Sequence, residues 1–64
     1  MPIITMDGPP VNDPAKKRTM VEEITRRAAA FYGLPAEAII ILIKENRSDN
    51  VALGGTLISD RPKP

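Results

Sequence analysis

Five consecutive aliphatic side chains, Ile39 to Ile43, stand out in a chain whose other apolar runs are short and broken by charged or turn-forming residues. In an extended segment successive side chains point to opposite faces, so this run is apolar on both and predicts a strand covered on two sides. Its β-branched content, with Gly33 and Pro35 just upstream, favours a strand over one more turn of buried helix. Lys44 and Glu45 close it. Earlier in the chain, Asn12-Asp13-Pro14 predicts a helix start: the Asp13 carboxylate can accept first-turn amides, and Pro14 gives up only a donor that lacks a helical partner. Val21, Ile24, Ala28 and Phe31, joined by Met20 and Tyr32, recur at three- and four-residue spacing and predict one apolar stripe on a helix running to about Tyr32, with Gly33 as its stop. Charged residues occupy most of the remaining positions, and Glu22 with Arg26 and Glu23 with Arg27 are spaced as favourable pairs.

The run Pro2-Ile3-Ile4-Thr5-Met6 predicts a first strand, which Asp7-Gly8-Pro9-Pro10 should end by removing two backbone donors and stiffening the connection. Leu34 to Ala38 reads as a short capped turn. Strand, helix, strand is a β-α-β unit whose crossover makes the two strands parallel. After Glu45 the chain becomes a polar turn (Asn46 to Asn50). Brief apolar segments on either side of Gly54-Gly55 then predict a small hairpin from about Asn50 to Ser59 that reaches onto a neighbouring subunit. Pro62 and Pro64 should keep the tail out of any sheet. The expected fold class is α/β (α+β), one domain over residues 1–64.

Size makes that fold dependent on company. A domain near 60 residues buries only about 60% of the surface its extended chain exposes. The chain has no cysteine, no histidine, one Phe, one Tyr and no Trp, so neither disulfides nor a zinc site can staple it. One helix covers one face of the sheet, and the other face calls for a second copy, which predicts self-association into dimers. Nine Lys and Arg against eight Asp and Glu give a formal charge of +1 with signs interspersed, which argues against nucleic acid or an anionic membrane as partner. With no apolar stretch of membrane-spanning length and no signal-peptide pattern, a cytoplasmic location is the expectation.

Chemistry has few places to reside. Without His or Cys there is no imidazole base and no thiolate, and the four Asp and four Glu show no metal-loop spacing. Gly54-Gly55 lacks the spacing of a phosphate-binding loop, so no metal or cofactor is expected. What remains is Pro2. Removal of Met1 would leave a secondary amine on the first strand, whose pKa burial and a nearby cation would bring toward neutrality. With Met1 attached, the same nitrogen is a tertiary amide.

Pro2-Ile3-Ile4, the loop and capped helix, Gly33-Leu34-Pro35, the strand ending in Lys44-Glu45-Asn46, Asn50 to Gly55 and Ser59-Asp60-Arg61 together resemble the 4-oxalocrotonate tautomerase family, specifically its small DmpI-like members. The resemblance spans essentially the whole chain. It implies a β-α-β protomer with a C-terminal hairpin, assembly into dimers and homohexamers, and cofactor-independent isomerase chemistry. In that chemistry an amino-terminal proline moves a proton on a small enol or 2-oxo acid such as 2-hydroxymuconate. Pro2 matches the catalytic base. Asn12 and Ile40 stand where the resemblance implies arginines, and Val51 where it implies a phenylalanine, and an Ile cannot replace a bidentate guanidinium. Arg47, Arg61 and Lys17 are the candidate substitutes for binding substrate carboxylate, with Asn12 as a hydrogen-bond donor and Ile40 and Val51 as pocket wall. The expectation is a tautomerase with Pro2 as base. The alternative is a non-catalytic oligomer that keeps the fold without the arginines, and a β-α-β docking module is a third reading.

Overall fold

A computed structural model of the chain describes residues 1–62 and places a two-stranded parallel ribbon beneath one helix. Strand β1 (Ile3–Gly8) pairs with β2 (Ile40–Glu45) in register from Ile3↔Ile40 to Gly8↔Glu45. β1 therefore continues two residues past Met6, where the sequence predicted its end. Asp7 and Lys44 are opposite charges at paired positions, and the Gly8 carbonyl accepts the Asn46 amide at 2.8 Å, so both residues gain from remaining in the ladder. β2 starts at Ile40 instead of Ile39 because Ile39 donates its amide back to Ala36, closing the single turn Ala36–Ala38.

Helix α1 (Pro14–Tyr32) has the predicted bounds. Asp13 is extended (φ −143°) and its carboxylate accepts the Lys16 amide at 3.2 Å, while Pro14 occupies the first turn. At the other end Gly33 takes the left-handed conformation (φ 66°), letting the Gly33 and Leu34 amides both reach the Ala29 carbonyl. Neither predicted pair, Glu22 with Arg26 or Glu23 with Arg27, forms; Glu23 instead meets Arg26 at 2.7 Å. Strands β3 (Ala52–Leu53) and β4 (Thr56–Leu57) make the C-terminal hairpin, shorter than predicted because Ile58–Asp60 closes into a helical turn. Gly54 and Gly55 both have positive φ (61° and 86°), the two-residue turn that matches strand twist and that only glycine enters without strain. Lys63 and Pro64, the end of the predicted tail, lie outside the described residues.

The packing follows the alternation of the strands. Ile4 and Met6 of β1 and Ile41 and Ile43 of β2 are half-buried on the side of the helix stripe Val21, Ile24 and Ala28. Ile3 and Leu42, on the other side of the ribbon, are 60% and 46% exposed. No side chain among the described residues is fully buried. The chain exposes 5276 Å², against roughly 4,000 Å² for a self-contained folded protein of this mass. Its radius of gyration is 15.4 Å, where a compact chain of this length has about 11 Å. Among the described residues no helix is long and apolar enough to cross a membrane.

Candidate functional site

The ribbon has two ends with different chemistry. At its start, the Pro2 carbonyl accepts the Ile40 amide at 3.1 Å, and both residues are half-buried. Met1 precedes Pro2 and is 88% exposed. This overturns the expectation that Pro2 is an amino-terminal base. Its nitrogen is acylated by Met1, so the lone pair is delocalised into the amide, and no proton is available to exchange.

At the far end Glu45 organises the loop that leads from β1 into α1. One carboxylate oxygen accepts the Val11 amide at 2.7 Å and the other accepts from Lys17 Nζ at 2.9 Å. The physical cause is visible in the sequence. Pro9 and Pro10 have no amide hydrogen, so Val11 offers the first donor after them, and the strand end supplies the acceptor. These two contacts, the Val11 amide first and the Lys17 ammonium second, hold the Glu45 carboxyl below the ordinary glutamate pKa. The loop frames a hollow of about 470 Å³, walled by Met6, Val11, Met20 and Ile43 with Lys16 and Lys17 at its rim.

The cations proposed to replace the arginines are engaged within the protomer. Lys17 is paired with Glu45, Arg47 lies 3.2 Å from Asp49, and Arg61 donates to the Leu53 carbonyl at 3.3 Å. Asn12 is exposed on the loop beside Val11. Val51 is 38% exposed and borders a smaller hollow of about 350 Å³ with Asn46, Ser48 and Ile58. Pro2 and Ile40 thus sit at one end of the ribbon, while Asn12 and Lys17 flank the other. Six residues of strand separate those ends, about 20 Å at the usual rise. Within one protomer the site candidates do not converge. Glu45, read from sequence only as the residue that closes β2, is the polar side chain with the most partners here. A lone acid at a strand end, facing a loop with two prolines, was the signal that could have found it.

Among the described residues no group of acidic, His or Cys side chains could hold a metal ion. Comparison with known proteins adds what geometry alone does not. A family model described as tautomerase enzyme matches residues 2–61. The 2-hydroxymuconate tautomerase of Bacillus subtilis (strain 168) is 32% identical over 60 residues, covering 94% of this chain and 97% of that protein. The crystal structure of DmpI from Archaeoglobus fulgidus is 46% identical, covers 92% of this chain and 100% of its own, and superposes with a TM-score of 0.78. A crystallised homologue of 4-oxalocrotonate tautomerase is 32% identical, covers 98% and 100% of the two chains, and superposes with a TM-score of 0.85.

Proposed function

The chain belongs to the tautomerase family, and from that premise we propose that with Met1 in place it is a non-catalytic, self-associating member of it. Membership and fold support activity of the tautomerase class. The observation that carries the non-catalytic reading is the Met1–Pro2 amide, which leaves no basic nitrogen at the start of β1. Asn12 and Ile40 add to it, because neither supplies the guanidinium that would hold a carboxylate and offset charge on an enolate oxygen.

Self-association is supported by the absence of any buried side chain among the described residues and by the surplus of exposed surface. A protomer whose aliphatic residues stay this wet gains its core from copies of itself. Association also bears on the pocket. Since Pro2 and Ile40 lie a strand's length from Asn12 and Lys17, a cavity containing all of them requires two copies. The ligand class we assign to such a cavity is a small enol or 2-oxo acid, on the strength of the relatives' named activity.

Sedimentation of the Met1-bearing protein, with its mass verified, tests the reading together with an assay on 2-hydroxymuconate. The expected result at micromolar concentration is a multiple of the 7.0 kDa protomer and no ketonisation above buffer. A stable, folded protomer would overturn the assembly, and turnover would overturn the non-catalytic assignment.

A further inference from the structure

Two donors converge on the Glu45 carboxylate, one neutral and one charged. The Val11 amide reaches one oxygen at 2.7 Å and the Lys17 ammonium reaches the other at 2.9 Å. The same donors hold the Glu45 carboxyl below the ordinary glutamate range, so together they favour the charged form of an acid. Behind them opens the hollow walled by Met6, Val11, Met20 and Ile43, and its 470 Å³ falls within the roughly 300–1,000 Å³ of small-molecule pockets. Acid donors at the mouth and apolar walls behind them are the two halves of a site for an amphiphilic acid. The chain's own carboxylate fills the first half.

We infer that the Val11 amide and the Lys17 ammonium form a binding site for a monocarboxylate with a short alkyl chain, and that Glu45 is an internal competitor that keeps this site closed. The site is complete within one protomer. It needs neither the Pro2 nitrogen nor an enol or 2-oxo group on the ligand, and so is separate from the two-copy cavity around Pro2 and Ile40. The ligand's carboxylate takes the two donors while its chain leaves water between Met6, Met20 and Ile43, with the Lys16 ammonium at the rim adding a second cation. Glu45 is free to yield its place. Its side chain is 31% exposed and that of Lys17 35%, so parting the pair returns the carboxylate to water without unfolding. Its neighbour across the ladder is Gly8, and the space a Cβ would take there holds no atom within 4 Å, which leaves room beside the Glu45 side chain. Lys17 stays fixed on α1 and Val11 on a loop that Pro9 and Pro10 stiffen. A tethered carboxylate competes at a high effective concentration, which makes Glu45 the dominant occupant in the parent chain.

Hexanoate is the test ligand, followed at neutral pH through the Val11 amide and the Met6 and Met20 methyl signals in NMR. Glu45→Ala should bind it saturably and tighter than the parent chain by about tenfold or more, with all three signals shifting together. Hexanol, the same chain without the acid, should bind that variant about tenfold more weakly than hexanoate does, and adding Lys17→Ala should remove the preference. Glu45→Gln keeps the side chain's size and one acceptor oxygen, and decides the matter if the Ala variant loses its helix signal: it too should bind hexanoate more tightly than the parent chain. Equal hexanoate affinity in the Glu45 variants and the parent chain would overturn Glu45 as the competitor. Equal affinity for hexanoate and hexanol would overturn the carboxylate site, and no saturable hexanoate binding to either variant would overturn both.

Discussion

The two ends of the parallel ribbon are stabilised by different means. The end holding Gly8 and Glu45 is tied within the protomer: Glu45 anchors the loop through Val11 and Lys17, and the Asn46 amide extends the ladder to the Gly8 carbonyl. The end holding Pro2 and Ile40 is extended past the ladder by the Ile40 amide on the Pro2 carbonyl, and among the described residues no side-chain hydrogen bond or ion pair ties it down. Between them the aliphatic ladder is half-covered on the helix side and open on the other. Polar contacts are satisfied locally at one end, whereas the apolar surface is left for association. The difference teaches that this chain completes its hydrogen bonding before it completes its core.

The comparison breaks most visibly at the ladder itself. Ile41 faces the helix and Leu42 faces away, so Asp at the two positions should act differently despite their adjacency. Ile41→Asp places a carboxylate between strand and helix with no partner, and loss of the circular dichroism signal of the fold is expected. Leu42→Asp should keep more helix signal but prevent association, which sedimentation reads. Equal behaviour of the two variants would mean that the ribbon has no inner and outer face.

A smaller effect probes the tied end. Glu45→Ala removes both contacts to the loop, and amide exchange at Val11 should speed up on the order of tenfold while exchange along the α1 interior stays unchanged. Acid should open the same contacts in the parent chain. The folded Glu45 pKa is lowered by the Val11 amide and Lys17, so the stabilisation is present above the ordinary glutamate value and is lost as pH falls through the lowered one. An amide chemical shift of Val11 that follows this direction checks the sign. The smallest effect is expected at Arg47→Ala. Its ion pair with Asp49 is 76% and 50% exposed, and stability should change by less than about 0.5 kcal/mol in thermal unfolding.

The backbone was the most legible part of the sequence. Asp13-Pro14 and Gly33 marked α1 because a cap, a missing donor and a left-handed φ are local requirements, and Gly54-Gly55 marked the hairpin turn for the same reason. Strand ends were less legible. The continuation through Asp7 and Gly8 depends on Lys44 and Asn46, which are remote in sequence. The fate of Phe31 and Tyr32 was half legible: their spacing put them on the apolar stripe, but they stay largely exposed, packed edge to face against each other. The candidate cations were least legible. Formal charge was visible at Lys17, Arg47 and Arg61, yet their partners Glu45, Asp49 and the Leu53 carbonyl appear only once the chain is folded. Pro2 was visible as a residue, and the resemblance gave it a role that its amide to Met1 removes.

That removal is the central claim, and proton exchange measures it more directly than turnover does. A simple 2-oxo acid incubated in deuterated buffer with protein whose mass shows Met1 present should lose the C3 protons beside its oxo group, followed by proton NMR, no faster than with buffer alone. A chain lacking Met1 is the matched comparison, because it differs only in the group on one nitrogen. Exchange by the Met1-bearing protein in proportion to its concentration would contradict the account, since it would require a base that the acylated Pro2 nitrogen cannot be.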